Sequence, residues 1–241
     1  LRTLIGHEYI AKRQCRKLYL DWEPDNSCPG KFEDYFEPIC KTVKRGSLLW
    51  KYLVDVRGAE VFSGQEPVQE TLKKHNESFS NAEIDALFQK LKLKPHLQAK
   101  LDAMVQTSDF SSCVGLHIRR TDHVALAVKR TGGFSDDEQF TKRIDELISK
   151  NENQQFYLAT DNTETQEKFL SLYGDRMIVS EPIKDSSAHR KTSLEHAIID
   201  LFLLSRCRII LGSVWSSYSS VAANLSNGRA ELIRLTSNEA P

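Results

Sequence analysis

The chain has no surplus of charge: its 241 residues carry 33 Lys plus Arg against 33 Asp plus Glu, a formal net charge of zero. No global field therefore draws it to nucleic acid or anionic lipid, and any anion it binds must be met by a local site. No apolar run approaches the roughly 18 residues needed to cross a bilayer. Neither a Gly-x-x-x-x-Gly-Lys-Ser/Thr loop nor a Gly-x-Gly-x-x-Gly fingerprint occurs, so P-loop and dinucleotide oxidoreductase chemistry lack support. The histidines are scattered, and no Asp-x-Asp follows a strand of the second half, so no metal site is expected. The five cysteines, Cys15, Cys28, Cys40, Cys113 and Cys207, are odd in number and widely spaced. Buried free thiols are expected ahead of a disulfide framework.

The compartment stays open. Asn76-Glu-Ser78 and Asn224-Leu-Ser226 match a glycosylation triplet that is common by chance. The chain opens on Leu1 rather than Met, and Leu1-Arg-Thr-Leu4 reads as helix without a capping residue, so a targeting or anchoring segment is expected to have been trimmed ahead of it.

From about Ser112 onward, strands and helices alternate. Val114–Ile118, Phe156–Asp161, Met177–Val179, Arg208–Gly212 and Ala230–Leu235 read as strands, too apolar to have a solvated face. Helices are expected between them, one capped by Ser135, others over Ser193–Ser205 and Ser216–Leu225. This βαβαβαβαβ order implies a parallel sheet wound on both faces, its strand ends on one rim. The first half is less regular. Helices are expected over Leu4–Arg13, Ala82–Leu91 and from Pro95 to Val105, with strands at Lys17–Trp22 and Glu60–Phe62. Leu48–Val54 is undecidable between helix and strand. A boundary is expected within residues 92–112 and, drawn at 108, separates an incomplete amino-terminal α/β domain, residues 1–108, from a Rossmann-like domain, residues 109–241.

Ligands of open α/β sheets gather at the carboxyl ends of the strands. There the chain places His117, Arg119, Arg120 and Asp122, then Asp161, then Arg190 and Thr192, then Gly212-Ser-Val-Trp-Ser-Ser217 at a helix start. Two arginine forks, helix-start amides and hydroxyls suit a phosphate group, although Ser216 and Ser217 are equally suited to ordinary capping. Asp200 lies in the apolar helix Ala197-Ile-Ile-Asp-Leu-Phe-Leu-Leu204 and needs a partner, either an internal salt bridge or hydrogen bond, or the N–H edge of guanine. Trp22, Trp50 and Trp215 are candidates for stacking on sugar rings, with packing the expected role for two of them.

His117-Ile-Arg-Arg-Thr-Asp122, Phe156-Tyr-Leu-Ala-Thr-Asp161, Asp200-Leu-Phe-Leu-Leu-Ser205 and Gly212-Ser-Val-Trp-Ser-Ser217 fall in an order that resembles the GDP-fucose-dependent fucosyltransferases of the α1,6, α1,2 and protein-O-fucosyl superfamily, nodulation-type enzymes included. The resemblance covers roughly residues 95–225. It implies a GT-B-like fold of two Rossmann-like units and inverting, metal-independent transfer of fucose from GDP-fucose to a glycan or glycoprotein hydroxyl, with GDP-fucose as donor substrate and no cofactor. By position Arg119 matches the arginine on the donor β-phosphate, His117 and Asp200 the guanosine contacts, and Ser216, Ser217 and Tyr218 the phosphate and fucose contacts. Arg120, Asp122, Asp161, Arg190 and Thr192 are placed at the same donor site. The chain departs from the pattern in four places: the amino-terminal Gly-x-Gly-Asn-Arg loop is absent, Tyr218 stands where glutamine is frequent, Asn162 replaces a second acid, and Ala127 stands where α1,6-type relatives carry an acid. His123, with an ordinary pKa near ~6.5, is the candidate base. Another GDP-sugar transferase, such as one using GDP-mannose, and a non-catalytic nucleotide- or glycan-binding relic remain as alternatives.

Overall fold

The computed structural model describes residues 1–25, 28–62, 72–73, 78, 80–121, 127–129, 133–181 and 192–236. The chain divides into two units, Leu1–Lys94 and Pro95–Pro241. This division lies ahead of residue 108 and within the 92–112 stretch. Helix Pro95–Thr107 packs on helix Leu194–Leu204 of the second unit through Leu97 and Leu101, both essentially fully buried.

In the first unit, helix α1 (Arg2–Arg13) buries Leu4, Ile5, Tyr9 and Ile10, and with them Gly6 and His7, so that its middle is covered around most of the circumference. It is tied to α4 (Asn81–Phe88) by a 3.2 Å hydrogen bond from the Tyr9 hydroxyl to Glu83. Ser80 and Glu83 start α4 with a reciprocal capping box, which satisfies two amides that the helix itself leaves open. Helix α2 (Phe32–Tyr35) carries Phe32 onto Phe36, ring centroids 5.1 Å apart.

The expected strands of this unit largely fail. Lys17–Trp22 contributes only β1 (Tyr19–Leu20), which pairs in parallel with β2 (Lys41–Thr42), and Glu60–Phe62 is not a strand. The undecided Leu48–Val54 segment is helical: α3 (Leu48–Lys51) runs into one π-helical turn, Tyr52–Val56. Among the described residues this unit therefore holds a two-stranded parallel sheet among helices.

The second unit follows the sequence closely. After α5 (Pro95–Thr107) come β3 (Val114–Ile118), α6 (Asp137–Lys150), β4 (Phe156–Thr160), α7 (Thr163–Tyr173), β5 (Met177–Ile178), α8 (Leu194–Leu204), β6 (Ile209–Ser213), α9 (Ser217–Leu225) and β7 (Glu231–Leu235). The sheet order is β5-β4-β3-β6-β7, every pair parallel. Strand alternation splits the side chains between two faces. Val114, Leu116, Ile118, Phe156, Leu158 and Leu211 meet Phe140 and Ile144 of α6 and Phe169 of α7. The opposite face carries Gly115, His117, Tyr157 and Gly212 beneath α8 and α9.

These glycines set how closely the helices approach. A Cβ on Gly115 would lie 2.8 Å from Leu204, and one on Gly212 would lie 2.6 Å from the Ser219 hydroxyl. Because the strands are parallel and the crossovers right-handed, all five carboxyl ends share one rim. Among the described residues no helix is long and apolar enough to cross a membrane. All five cysteines are free thiols, but only Cys113 and Cys207 are buried.

Candidate functional site

The rim is assembled from the ends of β3, β4 and β6. Parallel pairing brings His117 beside both Ala159 and Gly212, so the residues that follow each strand emerge together. Ser213 closes the β3–β6 junction. Its hydroxyl donates to the His117 carbonyl at 3.2 Å and accepts the Arg119 amide at 3.0 Å.

Asp161 organises the turn after β3. Its carboxylate accepts the Arg120 amide at 2.8 Å, the Thr121 amide at 3.4 Å and the Thr121 hydroxyl, and pairs with the Arg119 guanidinium at 3.1 Å. With four donors on a carboxylate only 5% exposed, Asp161 holds the groups of this turn in place. Arg119 keeps a fifth of its side chain exposed, and its guanidinium is partly neutralised by the buried Asp161 carboxylate.

Arg120 is bound to protein groups as well. Its guanidinium donates to the carbonyls of Arg119 at 3.1 Å and Ser135 at 2.7 Å and forms an ion pair with Asp137 at 2.5 Å. It braces the turn against the start of α6. Burial pushes Asp137 up, but the hydrogen bonds from Arg120 and Lys168 outweigh it and hold its carboxyl below the usual carboxylate range.

Ser135 does not cap α6. Asp136 does, in a capping box with Gln139. The buried Ser135 hydroxyl instead donates to the Leu235 carbonyl and accepts the Val214 amide at 2.8 Å, joining the ends of β6 and β7 to the entrance of α6. Asn162 caps α7 by accepting the Thr165 amide at 2.7 Å.

On the other face of the sheet, His117 stacks on Tyr218, with ring centroids 4.6 Å apart and planes inclined at 27°. The Tyr218 hydroxyl donates to the Ala197 carbonyl of α8. Beside them Asp200 is 4% exposed. One of its oxygens accepts the Tyr157 hydroxyl at 2.6 Å and the Ser180 hydroxyl, while the other lies 3.4 Å from His196 Nε2. Of the two readings weighed for Asp200, the internal one describes the observed contacts. Desolvation raises its pKa in spite of the His196 charge and the two hydroxyls. Burial and the Asp200 charge push the Tyr157 hydroxyl well above its ordinary value.

Ser216 precedes α9, yet its side chain makes no capping bond, and Ser217 beside it is exposed. The capping alternative therefore does not account for the Ser216 hydroxyl. Thr192 is half-buried just before Ser193, which caps α8. Asp122, His123 and Arg190 lie outside the described residues. Sequence reasoning missed Ser213, Thr121, Tyr157, Ser180 and His196. Only His196 carried a readable signal, one helical turn before Asp200 at the i, i+4 spacing that pairs side chains. Among the described residues no cluster of three His, Cys, Asp or Glu side chains is placed to hold a metal ion.

No family model and no curated protein matches the chain. Solved structures do. The chain superposes on NodZ α-1,6-fucosyltransferase soaked with GDP-fucose with a TM-score of 0.59 at 16% identity, covering 93% of this chain and 87% of that one. The fucosyltransferase NodZ from Bradyrhizobium gives 0.60 at 18% identity, covering 92% and 87%. POFUT1 in complex with GDP-fucose gives 0.57 at 10% identity, covering 96% and 93%. The fold is the one these proteins share. At such low identity the likeness establishes architecture, and the chemistry has to be argued from the site itself.

Proposed function

We propose that this chain is an inverting glycosyltransferase that moves fucose from GDP-fucose to a hydroxyl of a glycan or glycoprotein, with no resident metal ion. The observation that carries this reading is the aimed Arg119 guanidinium at the sheet rim, set by Ser213 and Asp161, next to a helix start with uncommitted Ser216. The likeness to NodZ soaked with GDP-fucose supports it.

In the reaction the acceptor oxygen attacks the anomeric carbon of fucose from the face opposite the diphosphate. The bond from that carbon to the β-phosphate oxygen breaks, GDP departs with the electron pair, and the acceptor proton passes to a base, for which His123 is the candidate. Charge grows on the leaving diphosphate. A fixed guanidinium and helix-start amides meet that charge with little reorganisation, and loss of one such donor typically costs about 10²–10³ in rate. Ser216, Ser217 and the α9 amides take the phosphates, while the stacked His117–Tyr218 pair borders the base.

A non-catalytic nucleotide-binding protein is the second reading. One observation favours it: the Asp200 carboxylate is already occupied by Tyr157, Ser180 and His196. Release of GDP from GDP-fucose and from GDP-mannose, followed by transfer of labelled fucose to a glycan array, separates the readings. Faster turnover of GDP-fucose with label on a glycan is expected. Binding of GDP without turnover of either donor contradicts transfer and supports the second reading.

A further inference from the structure

Trp215 occupies a position that its backbone makes costly and its side chain does not repay by burial. The Ser216 amide bonds back to the Ser213 carbonyl at 3.4 Å, closing a four-residue turn with Val214 and Trp215 at its centre. Trp215 has φ of +61° at the third position of that turn. A positive φ there is the usual place for glycine or asparagine, and a bulky side chain is strained in that region. The residue is nonetheless 49% exposed.

The turn is held in place from outside. Ser213 accepts the Arg119 amide and Val214 donates to Ser135, so the strained residue is fixed against the same groups that aim Arg119. Strain kept at a large, half-exposed aromatic, over-determined by its surroundings, marks a residue retained for what it contacts in solution.

We propose that the Trp215 indole is a saccharide platform that receives the apolar face of the donor's sugar ring. The proposal rests on the GDP-sugar reading above. A diphosphate between Arg119 and the start of α9 carries its sugar next to the turn that precedes α9. A 6-deoxyhexose such as fucose presents ring C–H groups and a methyl, which match an indole face better than a fully hydroxylated edge would. The class of ligand is thus a deoxysugar joined to a diphosphate, and Trp215 favours it over bare GDP.

The test uses the full chain and the variants Trp215→Phe and Trp215→Gly. GDP and GDP-fucose are titrated by calorimetry and by tryptophan fluorescence, alongside thermal denaturation. In the wild type, GDP-fucose is expected to alter the emission more than GDP does, and Trp215→Phe to remove that difference while keeping most of the affinity. Trp215→Gly is expected to bind GDP as the wild type does and GDP-fucose roughly 2- to 10-fold more weakly. Because glycine relieves the positive φ, its Tm should hold or rise by about 2–4 °C. A fall in Tm with unchanged GDP-fucose affinity would make Trp215 a packing residue and overturn the proposal alone. Failure of GDP to bind the wild type would overturn the nucleotide reading and this proposal with it.

Discussion

Asp161 and Asp200 are both buried carboxylates near the rim, and their environments separate what they do. Asp161 gathers four donors from the turn after β3, so removing its charge should loosen that turn and release Arg119 from its aim. Asp161→Asn keeps one acceptor oxygen but turns an amide donor toward the guanidinium or the Thr121 hydroxyl. It should cost about 1–3 kcal/mol, read as a lower denaturation midpoint in urea, and should weaken GDP binding in parallel. Unchanged GDP affinity in a destabilised protein would separate the turn from the site. Asp200 is governed by its burial, which raises its pKa above the ordinary value. A carboxyl raised in the folded state contributes stability that is fully present below its unfolded pKa and lost as pH rises through the folded one. Stability profiles of wild type and Asp200→Asn should therefore diverge across that window, the asparagine variant lacking the decline with rising pH. Parallel profiles from about pH 4 to 8 would show that Asp200 ionises normally.

The elements of the second unit were legible because buried parallel strands announce themselves as short apolar runs, as Phe156–Ala159 does, ended by polar residues that must reach water or a ligand. Asp136-Asp-Glu-Gln139 also spelled a capping box in the sequence, but Ser135 stood one place ahead and drew the assignment. What corrected it was tertiary: the Ser135 hydroxyl meets Leu235, a hundred residues away, which no local pattern encodes. The same holds for Arg120, whose partners sit at the entrance of α6, and for Asp200, two of whose partners come from β4 and the end of β5. The first unit was harder to read, since two-residue strands carry no periodicity at all. At this scale the glycines give the sharpest prediction. A Cβ at Gly212 would sit 2.6 Å from the Ser219 hydroxyl and 2.9 Å from Ser219 Cβ, pressing α9 off the sheet. At Gly115 its nearest neighbour is instead the flexible end of Leu204 at 2.8 Å. Overpacking of this kind costs about 1–3 kcal/mol. Gly212→Ala should lose GDP affinity as well as thermal stability, whereas Gly115→Ala should lose stability alone. Equal GDP affinity in the two variants would detach α9 from the site.

Across the whole molecule the balance of 33 cationic against 33 anionic residues leaves recognition of a diphosphate to one fixed guanidinium and a helix start. That arrangement, on a fold shared with NodZ and POFUT1, is the basis on which GDP-fucose is proposed as donor. Of the expected site, His117, Arg119, Ser216, Ser217 and Tyr218 gather at the ends of β3 and β6, while Arg120, Asp161 and Asp200 serve as supports within the protein. Replacing Arg119 removes the charge that meets the leaving group and leaves the Asp161 carboxylate as a net repulsion toward phosphate. The central claim is tested most directly by the thermal shift that nucleotides produce in the wild type and in Arg119→Ala. GDP should raise Tm by more than UDP or ADP does, and the shift should vanish in Arg119→Ala. Equal shifts with all three nucleotides, or a GDP shift that survives the loss of Arg119, would contradict the account.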